Sequence, residues 1–155
     1  MGRPLALVVD DAEGFRGVVR VLEIWEGING DEDARVDELR LEDVVGDAEP
    51  EALLRTTSTL EDSACTEPLA WDTRRSDLVV CTLPARAAPT CTDRIPLRFH
   101  EIERSYDDGD RPRVRRVTRY ATRVVLERDG IVVVRESGRV PRAARGVMGR
   151  YRITG

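Results

Sequence analysis

The chain has 155 residues, of which 41% are hydrophobic and 35% charged. This balance is typical of a folded protein, so we expect a single domain over residues 1–155. No apolar run is long enough to cross a bilayer, which excludes a membrane-spanning helix. All 25 basic residues are arginine, which excludes a Schiff base on lysine and a phosphate-loop lysine. The net charge of −4 is unevenly distributed, because residues 1–70 hold 6 Arg against 18 acidic residues and residues 71–155 hold 19 Arg against 11.

The N-terminal part of the chain is rich in strand patterns. Pro4–Val9 is a short apolar run that predicts a buried strand. Residues 15–26 are ambiguous, because their apolar residues fit one face of a helix but β-branched residues dominate, so we predict a strand and keep a helix as the alternative. Asn29 and Gly30 are typical of a tight turn. We therefore expect Arg35–Val45 to return as a strand beside residues 15–26.

A helix is predicted over residues 47–60. Pro50 suits the first turn of a helix, and the acidic residues Glu49 and Glu51 on either side of it favour the positive end of the helix dipole. Leu53 and Leu54 would form the apolar side of this helix. The segments that follow are predicted as a loop over 63–76, a buried strand over Asp77–Leu83, a loop over 85–94, a strand over Ile95–Arg104 and a closing strand over Tyr151–Ile153.

A long hairpin at 113–136 is the clearest element of the C-terminal half. Two valine-rich runs flank Asp129-Gly130, and a glycine at such a turn accepts positive φ without steric cost. The expected fold is therefore mainly β or α+β. It would be a twisted antiparallel sheet, arranged as a sandwich or partial barrel, with this hairpin and one or two short helices.

The cysteines and the single histidine give no recognisable metal or catalytic site. Cys65, Cys81, Cys91 and His100 are separated by 15, 9 and 8 residues, whereas structural zinc sites use close ligand pairs. No nucleophile elbow accompanies His100. We therefore expect no catalytic, cofactor-binding or metal-binding residues and no enzymatic activity. The cysteines are expected to be reduced, with one disulfide as the alternative.

Two segments resemble a response-regulator receiver domain. Leu5–Asp11, followed by Phe15 and the apolar residues after it, resembles the opening of that family, and Asp77–Pro84 resembles its phosphoacceptor strand. The resemblance implies a parallel sheet with helices on both faces and an acidic pair that binds magnesium. However, Thr82 stands where the acceptor aspartate is expected, and the family's lysine has no counterpart. The implied function is a degenerate receiver-like signalling domain without phosphotransfer, which we keep as an alternative.

The uneven charge favours a non-catalytic assembly or protein-interaction subunit, such as a component of a virion or tail-like complex. The predicted interaction residues are the hairpin arginines Arg113, Arg115, Arg116, Arg119 and Arg123 and the acidic residues Asp31, Glu32 and Asp33. The expected partners are copies of the same chain in a homo-oligomer, or other protein subunits, with nucleic acid as a less favoured alternative. Since Leu5–Val9 is too short for the core of a signal peptide, the default compartment is the cytoplasm, with a virion or a secreted machine as alternatives.

Overall fold

Antiparallel β-strands make up the regular structure of the computed structural model, which describes residues 3–11, 14–24, 30–64, 66–106, 111–127, 130–142, 145 and 148–152. The strands are β1 (Arg3–Asp11), β2 (Gly14–Ile24), β3 (Glu32–Glu42), β4 (Glu51–Ser63), β5 (Leu69–Thr82), β6 (Thr90–Cys91), β7 (Ile95–Ser105), β8 (Arg113–Glu127), β9 (Gly130–Gly138) and β10 (Gly149–Arg152). Among the described residues there is no helix of the length and apolarity that a membrane span requires.

The strands form a large sheet and a separate hairpin. The large sheet has eight strands, with the order β10-β9-β8-β7-β5-β4-β3 and with β6 paired to β5, and β1 pairs only with β2. Every pairing between described strands is antiparallel. The predicted antiparallel sheet is therefore confirmed. The parallel sheet implied by the receiver resemblance is wrong, because β1 and β5 lie in different sheets.

Two apolar clusters cover opposite sides of the centre of the large sheet. The first core cluster contains Val44, Leu53, Leu78, Val80, Ile95, Ile131 and Val133. The second contains Val21 of β2 with Ala52, Leu54, Val79 and Cys81, so the β1–β2 hairpin packs on this side. Successive residues of a strand point to opposite faces. This explains why the end of β5 is a continuous buried run rather than an alternating one.

The long C-terminal hairpin is confirmed. β8 and β9 pair from Glu127↔Gly130 to Tyr120↔Gly138, and β10 adds to the free side of β9, which agrees with the predicted closing strand. Gly138 has φ 77°, and a Cβ atom at this position would collide with the carbonyl oxygen of Arg119. Glycine therefore permits the close approach of β9 to β8.

The predicted helix over 47–60 is wrong, and with it the expectation of short helices, because β4 begins at Glu51 and no α-helix occurs in the described part of the chain. Leu53 and Leu54 pack into the two different core clusters. Two adjacent apolar residues therefore reflect burial on both sides of a strand rather than one side of a helix. The turn before β4 is held by Asp43, whose carboxylate accepts hydrogen bonds from the backbone N–H groups of Gly46 and Ala48 at 2.6 and 3.1 Å.

The N-terminal pairing also differs from the expectation. Residues 14–24 do form a strand, but they pair with β1, whereas β3 pairs with β4 and not with residues 15–26. Part of the expected turn, residues 27–29, lies outside the described residues. The predicted loop over 63–76 is wrong from Leu69 onward, because this polar segment pairs with both β4 and β7.

A disulfide joins Cys81 to Cys91, which are register partners on β5 and β6. The expectation of reduced thiols is therefore wrong for these two cysteines, and Cys65 lies outside the described residues. Sequence distance could not identify this pair, because the partners become neighbours only when the short β6 pairs with β5. The disulfide therefore uses two of the four residues that the sequence analysis weighed as zinc ligands.

Candidate functional site

A groove with a volume of about 1050 Å³ runs across β3, β4, β5, β7, β8 and β9. Its apolar lining includes Leu53, Leu78, Leu97 and Val124, which all belong to or pack against the first core cluster. The groove floor is therefore built from the cluster opposite the one that β2 covers. We call this concavity the arginine groove, because its lining contains Arg35, Arg40, Arg55, Arg74, Arg75, Arg98, Arg119 and Arg123.

Strand pairing places several basic residues of the groove side by side. Arg74 on β5 is the register partner of His100 on β7, and His100 is in turn the partner of Arg119 on β8. Arg98 precedes His100 by two positions and therefore lies on the same side of β7. Register partners have Cβ atoms about 5 Å apart and diagonal neighbours about 7–8 Å apart. The four residues thus form one basic patch across three adjacent strands.

The arginines of this patch, and Arg123 farther along β8, have no acidic partner among the described residues. In the part of the chain that the structure describes, no ion pair or side-chain hydrogen bond involves Arg74, Arg98, Arg119 or Arg123. All four side chains are exposed. We call these four the unpaired arginines. They concentrate positive charge at the β5, β7 and β8 side of the groove.

Other arginines in or near the groove are neutralised. At the β3 side, Arg35 contacts Asp37 at 2.9 Å, and Arg40 and Arg55 contact Glu38 at 3.3 and 3.5 Å. The Asp37 carboxylate also accepts a hydrogen bond from the Thr57 hydroxyl. This hydrogen bond is the main reason that the pKa of Asp37 lies below its ordinary value, with Arg35 adding to the effect.

A buried pair of ions supports the groove. Arg75 donates two hydrogen bonds of 2.7 Å to Asp77, whose side chain is only 1% exposed. Burial raises the pKa of Asp77, and the hydrogen bonds from Arg75 oppose this change. Burial also raises the pKa of Tyr120, against the opposing charge of Arg75. The guanidinium of Arg75 is therefore held by β5 itself and is not free for a ligand.

The structure separates the five predicted hairpin arginines. Arg119 and Arg123 line the groove. Arg115 and Arg116 instead contact Glu103 at 3.9 and 2.7 Å, and Arg113 lies at the start of β8. The pairing of β8 with β7 also shifts register at Glu103/Arg104.

The three predicted acidic residues are also separated. Glu32 is 5% exposed and binds Arg94 with contacts of 2.5 and 3.2 Å, so it is not the solvent-facing acid that its sequence context indicates. Asp31 and Asp33 are exposed and line a second concavity of about 590 Å³. No group of residues in the described ranges is arranged to hold a metal ion.

Sequence reasoning missed Arg74, Arg98 and His100 as members of one site. Arg74 lies in the segment that was expected to be a loop, and its neighbours come from two other strands. Only the pairing of β5, β7 and β8 brings these residues together.

No known protein family, curated protein sequence or solved structure matches the chain.

Proposed function

We propose that this chain is a non-catalytic docking subunit that binds an acidic protein surface in the arginine groove. The main observation behind this proposal is that the four unpaired arginines line one side of the groove, whereas the arginines on its β3 side are paired with Asp37 and Glu38. Arg98 and Arg119 are diagonal neighbours on β7 and β8, and like charges on neighbouring strands destabilise a sheet. A carboxylate bound between these two arginines would offset that repulsion, and the planar guanidinium suits bidentate contacts with carboxylates.

The size and lining of the groove favour a protein segment over a small anion. A volume of about 1050 Å³ is far larger than a single carboxylate needs. Leu126, which is 38% exposed, and the half-buried Leu97 and Val124 add apolar surface to the lining. Protein interfaces commonly combine an apolar centre with arginine contacts. An extended acidic segment could therefore use both parts of the groove.

The aromatic residues of the groove support a protein partner rather than nucleic acid. Phe99 and Tyr120 stack on each other with ring centroids 5.2 Å apart, and Tyr120 is 4% exposed. Proteins that bind single-stranded nucleic acid usually stack bases on exposed aromatic rings. In the groove these two rings are already used for packing, so nucleic acid remains the second candidate.

The proposed compartment is an oxidising one, which fits the virion or secreted-machine alternative rather than the cytoplasm. Disulfides persist in oxidising environments and are rare in the reducing cytosol. The Cys81–Cys91 bond joins two strands of the large sheet. Detection of this bond in protein taken directly from the producing cells would test the proposal.

The docking function can be tested with polyglutamate as an acidic probe. Binding should be measurable at low salt and weaken as salt is added, because contacts between exposed charges are screened. We expect the double variant Arg74→Ser/Arg119→Ser to weaken binding about tenfold or more, since each arginine of a binding centre contributes at least about 1 kcal/mol. The matched control is Arg86→Ser/Arg111→Ser, which removes two exposed charges outside the groove.

Two results would count against this function. Equal weakening by the groove and control variants would mean that total charge, not the groove, determines binding. Absence of polyglutamate binding at low salt would remove the proposal. A single-stranded oligonucleotide that binds the groove more tightly than polyglutamate at the same salt concentration would favour the nucleic-acid alternative.

A further inference from the structure

The chain carries an acidic surface that matches the unpaired arginines. Asp31, Asp33, Glu61 and Asp62 lie around the start of β3 and the end of β4 and line the second concavity. We call these four residues the acidic edge. Within the described structure no ion pair involves any of them. The other charged residue in that lining is Asp72, which is paired with Arg104, so the negative charge of this surface comes from the acidic edge itself.

The sheet prevents the acidic edge from neutralising the arginines of its own chain. Asp33 pairs with Thr59, and Thr59 pairs with Arg74, so Thr59 separates the acid from the nearest unpaired arginine. Adjacent strands lie about 4.8 Å apart, which places Asp33 and Arg74 about 10 Å apart at the backbone. Arg119 lies two strands further away. Only a second molecule can bring both sets of charges into contact along their full length.

The acidic edge is also accessible to a second molecule. β3 is the border strand of the large sheet in the described structure, and Asp31, Asp33 and Glu61 are exposed. Farther along β3, Leu39 and Leu41 are 51% and 64% exposed. A border strand also presents backbone N–H and C=O groups with which a second chain can pair.

We propose that the acidic edge of one copy of this chain docks into the arginine groove of a second copy. This inference rests on the docking function proposed above and names its partner. Four unpaired acids face four unpaired arginines, so the two surfaces are matched in charge. Because edge and groove are different parts of the chain, the contact joins unlike surfaces. Such a head-to-tail contact builds a ring or a filament.

The test is a pair of charge reversals followed by mixing. The groove variant is Arg74→Glu/Arg119→Glu and the edge variant is Asp33→Arg/Glu61→Arg. We expect the wild-type protein to exceed the monomer mass in low-salt light scattering and to dissociate as salt is added. Each variant alone should remain monomeric, because its altered surface carries two positive and two negative charges and no longer attracts the unchanged one. An equimolar mixture should associate again, because the unchanged edge of the groove variant then meets the unchanged groove of the edge variant.

The control is Arg86→Glu/Arg111→Glu, which should associate like the wild type. Thermal melts of all variants establish that they are folded. A monomeric wild type at low salt, an edge variant that still associates, or a mixture that stays monomeric would each overturn the self-docking inference. If polyglutamate still binds the groove in those cases, the docking function stands with a different partner. If polyglutamate does not bind either, both proposals fall.

Discussion

Reduction of the Cys81–Cys91 disulfide should lower the stability of the folded chain by a calculable amount. The bond closes a loop with a sequence separation of 10. The loop-entropy relation for a cross-link of this length gives about 2.7 kcal/mol at 25 °C. For a chain of 155 residues each kcal/mol shifts the melting temperature by about 2–4 °C, so the expected decrease is about 5–11 °C.

This magnitude can be measured in a Cys65→Ala background, which retains only the two paired cysteines. Melting temperatures are compared by differential scanning calorimetry with and without a reductant, and Cys81→Ala/Cys91→Ala in the same background should not respond to the reductant. Alkylation of the unfolded, non-reduced protein should leave both thiols unmodified. Equal melting temperatures in both conditions, or complete alkylation without reductant, would refute the reasoning.

Three further predictions concern individual side chains. Arg75→Met should lower the free energy of unfolding by about 3–5 kcal/mol in urea at pH 7, because the buried Asp77 carboxylate loses the hydrogen bonds that offset its burial, and Ser76→Ala is the neighbouring control. Thr57→Val should raise the pKa of Asp37, measured by NMR titration, since the Thr57 hydroxyl is the main cause of the lowered value. The depressed pKa stabilises the wild type above the unfolded value of 3.8 and this contribution is lost as the pH falls, so the variant should lose less stability on acidification. Ala48→Gly should raise the free energy of unfolding by about 0.5–1 kcal/mol, because Ala48 has φ 68°, and unchanged stability in urea would contradict that reason.

Local patterns in the sequence were sufficient to predict a strand where one clear signal marks it. The β8–β9 hairpin was predictable because valine-rich runs flank an Asp-Gly pair. The segment over 47–60 misled the prediction because a strand buried on both sides loses the alternation that identifies strands. Leu53 and Leu54 are therefore equally consistent with a helix until the two core clusters are known.

The candidate site was only partly predictable for a related reason. The sequence identifies Arg119 and Arg123 as members of a basic strand, and the structure places both in the groove. It does not indicate that Arg116 would meet Glu103 or that Glu32 would be buried against Arg94. Whether an arginine is paired depends on the register between strands, and the register of β7 with β8 shifts at Glu103/Arg104, which the sequence pattern does not indicate.

The order of strands in the large sheet has a consequence for synthesis. From β3 to β10 the main path follows the order of the chain, with only the short β6 outside it. Each of these strands can therefore meet its neighbour soon after leaving the ribosome, without waiting for a distant segment. The β1–β2 hairpin is made first, but its docking surface includes β4 and β5. We therefore expect this hairpin to remain undocked on the nascent chain until at least residue 82 has emerged from the exit tunnel.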